Sequence, residues 1–356
     1  MKRPFTTYRF RGFGIVEVMV AMLIALLGMI VIFQVFAISE SVNRTAVTGS
    51  DAQPNGAYAL YMLQQEIRQA GWGFNSSQAL GCSVIAYNAT TGGPPAALTP
   101  GAPAGTYTLA PVLINAGPGN GSDALEVNYG NPNLLVTPVA LYQNQGTLTD
   151  PFVVANRYGF NVGDLVLAVE ANKSCTLAQA TSLPAAQSTT INRVVSGAYP
   201  YNKPGGSGVL YTTNGYLLDF GAAPTRDVFS VFNSQLTVIA TLSSATRQVV
   251  ADNIVQLKAQ YGHDTDGDGI VDTYDTVAPT NAAAWNQLLA VRVGIVARSA
   301  QPEKPSGAGP GCNTTTVAPT WSGGNFDLSA YATWQCYRYK VFETVIPVKN
   351  IIWTQG

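Results

Sequence analysis

FGIVEVMVAMLIALLGMIVIFQVFAI, residues 13–38, decides how the rest of this chain reads. From Val18 to Phe33 it carries no polar side chain, so it has no amphipathic stripe. A helix apolar on every face needs an apolar surround. As a helix the run would be about 39 Å long, enough to cross a hydrocarbon core of about 30 Å. Lys2, Arg3, Arg9 and Arg11 precede it, which favours a cytoplasmic N-terminus and places everything after it beyond the membrane. Glu17 breaks the pattern. A carboxylate at mid-bilayer costs roughly 2.5–3.5 kcal/mol on insertion scales, and less near the edge, so such a residue usually has a partner. A cleaved secretory signal fits poorly, because its apolar core runs about 7–15 residues. Val35-Phe36-Ala37 is also a poor small-residue cleavage site. A plain anchor leaves Glu17 unexplained.

Composition narrows the remainder. Charged residues make up 11% of the 356, against roughly 25% in a typical soluble domain. With 35 glycines and 47% hydrophobic residues, this is the profile of an exported β-rich protein rather than a disordered tail. The net charge of -1 argues against a direct nucleic-acid partner, since neutralising phosphates needs surplus Lys and Arg. A single histidine, His263, argues against histidine catalysis and multi-histidine metal sites. It reads as a surface residue.

Polar residues appear after Ile38, and the helix should continue to about Asp51. Pro54-Asn55-Gly56 is expected to interrupt or bend it. AYALYMLQQEIRQAG, residues 57–71, resumes helical spacing, with Leu60, Leu63, Ile67 and Ala70 on one face and Gly71 as a C-cap. Beyond Cys82 the chain reads as strands and long loops. Val255, Leu257, Ala259 and Tyr261 alternate with polar residues, as do Leu289, Val291, Val293 and Ile295 with residues that include Arg292. Residues 341–348 are rich in β-branched side chains. The expectation is an α+β chain, one long N-terminal helix packed on a large antiparallel β-rich head. The segments are 1–12, a basic leader; 13–38, the membrane or filament-core helix; 39–71, its continuation; and 72–356, the head.

Arg11-Gly12-Phe13, then Glu17, then the apolar run, resembles the class III signal of type IV prepilins. The resemblance implies cleavage by a prepilin peptidase between Gly12 and Phe13 and methylation of the new amine of Phe13. It makes Glu17 the fifth mature residue. In a filament Glu17 would neutralise the amine of Phe13 on a neighbouring subunit, and the penalty on an unpaired buried charge would set axial register. Major pilins commonly carry a proline mid-helix; this run has none, which points to a minor subunit. Residues 55–72, 249–272, 288–299 and 337–350 resemble, in order and spacing, the PilW family of minor pilins. That family implies a non-catalytic subunit of a priming complex in the inner membrane, its head periplasmic and then extracellular in the assembled pilus. The implied partners are other minor pilins, the major pilin, the prepilin peptidase and the inner-membrane assembly platform, with a surface or host ligand open at the tip. Twitching motility, adhesion or DNA uptake would follow. Two rivals remain: a J-type minor pseudopilin of type II secretion, and a secreted calcium-dependent adhesin or binding module.

Two constellations carry chemistry. Residues 264–275, DTDGDGIVDTYD, hold five of the 20 acidic residues. Their spacing fits an EF-hand calcium loop: Asp264, Asp266 and Asp268 at positions 1, 3 and 5, the Ile270 carbonyl at 7, Asp272 at 9 and Asp275 at 12. Asp275 stands where glutamate is usual, and the preceding flank reads as a strand, so the loop would sit on a β scaffold. The expected cofactor is a structural calcium ion, weakly held; a solvated acidic turn is the alternative. Cys82, Cys175, Cys312 and Cys336 make an even set in an exported head, so two disulfides are expected. Three connectivities are open; Cys82–Cys175 with Cys312–Cys336 is favoured, because the second pair closes a short loop beside a strand. Phosphate-loop, HExxH and G-x-S-x-G motifs are missing, so no enzyme is expected. The five tryptophans read as core.

Overall fold

A computed structural model describes residues 12, 14–73, 77–91, 105–134, 137–244, 246–303 and 311–352, with the backbone alone for 41–51 and 352. The chain forms two compact units, one ending at Ser50 and one beginning at Asp51. A single helix, Ile15–Gln69, supplies most of the first unit and enters the second. It is not interrupted at 54–56: Pro54 lies inside it. A mid-helix proline removes one backbone hydrogen bond. The tertiary packing that follows offsets the loss, because Ala52, Gly56, Ala59, Leu63, Ile67 and Ala70 are all buried. Gly56 lets the helix approach closely: a Cβ there would lie 2.1 Å from the Phe342 ring. Gly71, at φ +82°, ends the helix in the left-handed conformation of a C-cap glycine. Its N–H donates to the Asn128 carbonyl at 2.8 Å.

The second unit holds three main sheets. The first has six strands in the order Thr106–Thr108, Ser83–Ile85, Cys175–Gln179, Leu165–Val169, Tyr216–Gly221, Val139–Ala140. The second runs Arg247–Asp252, Gln235–Ala240, Thr225–Phe232, Ala124–Tyr129, Val112–Asn115. The third runs Thr273–Asp275, Ile254–His263, Leu288–Arg298, Tyr339–Pro347. Pairing among the described strands is antiparallel apart from Ser83–Ile85 with Cys175–Gln179, which is parallel. The chain is therefore α+β, with a long apolar helix and a large antiparallel β-rich part.

One core joins the helix face to one face of each sheet: Leu63 and Ile67 share it with Val84, Leu167, Val127, Leu236, Leu257 and Val293. The period of two then builds two further cores on the opposite faces. Val166 and Ala168 turn into a second cluster with Phe152, Ile191 and Tyr211. Val296 turns into a third with Phe326 and Leu328. Val255 joins it only because a bulge between Ile254 and Gln256 breaks the alternation that put it on the face of Leu257, Ala259 and Tyr261. The alternating reading of Leu289 to Ile295 is revised as well. Leu288–Arg298 is a central strand buried on both faces, with Arg292 and Arg298 alone partly exposed. Trp285 is fully buried, Trp72, Trp321 and Trp334 are half-buried, and Trp353 lies outside the described residues.

Candidate functional site

Two places gather the residues singled out from the sequence. The first is the start of the helix. Gly12 is exposed, and Phe13 lies outside the described residues. Glu17 sits in the first helical turn, where its Oε2 accepts the Gly14 N–H at 3.4 Å. A carboxylate here also meets the positive end of the helix dipole. Every residue from Ile15 to Glu40 is exposed, including 18 large hydrophobic side chains between Ile15 and Ile38. The stretch is long and apolar enough to cross a membrane.

The second is the acidic loop between strands Ile254–His263 and Thr273–Asp275. Asp264 is buried, and its carboxylate folds the loop around itself. Oδ1 accepts the Gly267 N–H at 2.6 Å and Oδ2 the Gly269 N–H at 2.8 Å. Gly267 and Gly269 stand at φ +82° and +83°, left-handed values that favour glycine. Asp266 and Asp268 cap the next turns by accepting the N–H of Asp268 and of Ile270. Asp264, Asp266 and Asp268 offer carboxylate oxygens within 4.8 Å of one another. Asp272 and Asp275 are not part of that group. The Asp272 carboxylate accepts both the N–H and the hydroxyl of Thr265 at 2.7 Å, and these bonds hold it below the usual aspartate range. Asp275 is fixed in the ladder opposite Tyr261, and its Oδ1 lies 3.6 Å from His263 Nε2. His263 is thereby a largely covered partner of Asp275 and not a surface residue; its side chain is 13% exposed.

Both disulfides are formed, Cys82–Cys175 and Cys312–Cys336. The first ties the two strands of the parallel pair together at Val84↔Cys175. The second holds the segment that covers the third cluster, where Trp334 and Tyr339 pack.

Sequence reasoning missed a buried ion pair. Arg226 and Glu126 are both fully covered, with Nε–Oε1 at 2.7 Å and Nη2–Oε2 at 2.9 Å. Arg226 also bonds Thr241 and stacks over Tyr107 at 4.5 Å. The two residues are 100 positions apart, and no local pattern links them.

The segments 249–272, 288–299 and 337–350 become neighbours in the third sheet, in the order 254–263, 288–298, 339–347. Residues 228–350 match the PilW family, type IV pilus-assembly protein W. That match covers the C-terminal third or so of the chain and supports a PilW-family assignment. The PilW segment includes the third sheet, the acidic loop and the Cys312–Cys336 disulfide. No curated protein and no solved structure matches the chain.

Proposed function

We propose that this chain is a non-catalytic minor pilin. It joins other minor pilins in an inner-membrane complex that primes type IV pilus assembly, and it travels to the fibre tip. The observation that carries this reading is the PilW match on a chain whose helix is apolar on every face past Glu17 and wholly exposed from Ile15 to Glu40. Such a helix is stable in lipid and equally in a bundle of like helices, which is what transfer from membrane to fibre requires. Glu17 is the exception that directs the transfer. In lipid its charge is penalised, and in the bundle it meets the amine of Phe13 on a neighbour. Residues 1–12 are the leader, removed by the prepilin peptidase, and the head faces the periplasm.

Intact-mass and N-terminal analysis of the protein from membranes with and without the prepilin peptidase tests this. A chain starting at methylated Phe13, only when the peptidase is present, is expected. A start near Ile38, or an uncut chain in both strains, would overturn the reading.

The acidic loop fits the same reading as a structural calcium site. Asp264, Asp266 and Asp268, with the Ile270 carbonyl, supply hard oxygens of the kind calcium selects. Clustered carboxylates repel one another without a cation, and a bound ion would rigidify the loop at the edge of the third sheet. Extracellular sites of this kind hold calcium at about 10⁻⁴–10⁻³ M. At ten times the dissociation constant, calcium should stabilise the chelator-treated protein by about 1.4 kcal/mol. Asp266→Asn should remove the gain. No calorimetric heat and no melting shift with calcium at that level would exclude the site.

A further inference from the structure

A cavity of about 310 Å³ lies where strand Cys175–Gln179 meets segments 192–195 and 202–207. Its lining includes two cations, Arg193 and Lys203, and no carboxylate side chain. Arg193 is only 8% exposed. Its Nε donates to the Asp150 carbonyl at 2.9 Å and its Nη2 to the Leu148 carbonyl at 2.6 Å. The guanidinium stacks over Phe152 at 4.6 Å. Among the described residues nothing accepts from Nη1, and no carboxylate lies within ion-pair distance. The charge of Asp150 reaches Arg193. Its carboxylate accepts the N–H groups of Gly146 and Thr147 and the Thr147 hydroxyl, and makes no direct bond to the guanidinium.

Arg226 is the internal comparison. It is buried to a similar degree, and there Glu126 closes the fork with two charge-assisted bonds. At Arg193 the direct partners are dipoles and a ring face, and Asp150 acts on it only through space. A buried guanidinium whose fork no carboxylate closes leaves a place for an anion. Burial pulls Arg193 down to about 10, which leaves it charged at neutral pH.

The wall is preformed. The Leu148 carbonyl also accepts the Ser207 N–H and hydroxyl. Gly206, at φ +95°, approaches so closely that a Cβ would lie 2.2 Å from the Leu148 oxygen. The remaining lining is largely apolar, with Ile85, Pro151, Val194 and Val195.

We propose that this cavity binds a small organic monocarboxylate. Its carboxylate lies against Arg193 Nη1 and the Lys203 ammonium, and its apolar body against Ile85, Pro151 and Val194. The volume is at the small end of ligand pockets, about 300–1,000 Å³, which selects a compact acid.

The test titrates the full chain in lipid nanodiscs with benzoate, with neutral benzamide of the same shape, and with inorganic phosphate. Benzoate should bind with a dissociation constant of about 1 mM or below, the range for a ligand of that size. Benzamide and phosphate should not bind. Lys203 and Val194 are exposed, so their variants should melt as the parent does. Lys203→Gln should weaken benzoate by about three- to five-fold, the size of a partly exposed ion pair. Val194→Trp should fill the mouth and abolish binding. Equal binding of benzoate and benzamide would overturn the proposal, as would benzoate binding untouched by both variants, or no heat at about ten times the expected constant. Phosphate binding in place of benzoate would replace the monocarboxylate with an inorganic anion and overturn it too.

Discussion

The two described halves of the long helix share a backbone and differ in everything else. From Ile15 to Glu40 no residue is covered. From Ala52 to Ala70 the covered positions are 52, 56, 59, 63, 67 and 70, while Tyr58, Tyr61, Gln65 and Arg68 stay exposed. Steps of three and four residues follow one face of a helix, so the second half has a side to bury and a side to show water. The first half has no such side. Periodicity therefore decides whether a helix belongs to its own head, and hydrophobicity alone does not. A stretch without it must find its apolar surround outside the chain.

Exchanging the halves' requirements breaks the comparison. The largest effect is expected from Ile67→Ala, which empties a fully buried site and should cost the head about 2–5 kcal/mol in urea unfolding, with membrane insertion unchanged. Leu26→Arg should do the reverse. It should lower insertion by roughly 2.5–3.5 kcal/mol, read as the membrane-integrated fraction, and leave head unfolding as it was.

A pH slope of intermediate size sharpens the picture on the buried side. Asp227 is raised from 3.8 to about 6, chiefly by burial and then by Glu66 of the helix. Glu66 itself accepts the Tyr129 hydroxyl at 2.9 Å. An acid held above its unfolded value binds its proton more tightly in the fold. Its contribution is thus fully present below 3.8 and is lost as pH rises through about 6. Glu66→Gln should flatten that loss, measured as urea midpoints at about pH 4.5 and about pH 7.5. Asp219, raised by burial to about 7, should keep its own slope in the variant.

The smallest effect is Gly56→Ala. Alanine gains up to about 1 kcal/mol in helix propensity, and displacing the Phe342 ring costs about 1–3. The net loss should be about 1 kcal/mol, and it should turn into a gain in a Phe342→Ala background.

The long helix was legible because its signals are local: an unbroken apolar run, then a one-sided spacing, then Gly71. Pro54 misled for the same reason. Its cost is local, and the packing that outweighs it comes from the head. The strands of the third sheet were legible in 257–263 and 339–347, while the bulge between Ile254 and Gln256 that turns Val255 to the other face left no local mark. The central strand 288–298 hid its second buried face, since the cover from Phe326 and Leu328 comes from later in the chain. In the acidic loop, spacing gathered Asp264, Asp266 and Asp268, each one turn of the chain from the next. Asp275 went elsewhere because the ladder with Tyr261 fixes its strand. The parallel pair, the Arg226–Glu126 bond and the Arg193 cavity join residues separated by tens of positions, and no window of sequence holds both partners.

The Cys82–Cys175 bond has one further consequence. It closes a ring of chain spanning 93 positions around the first sheet. A protease that cuts once anywhere inside that ring frees no fragment, and the two pieces stay covalently joined until a reductant opens the bond. A head nicked inside the ring would gain only the mass of one water and would separate into two pieces only on a reducing gel.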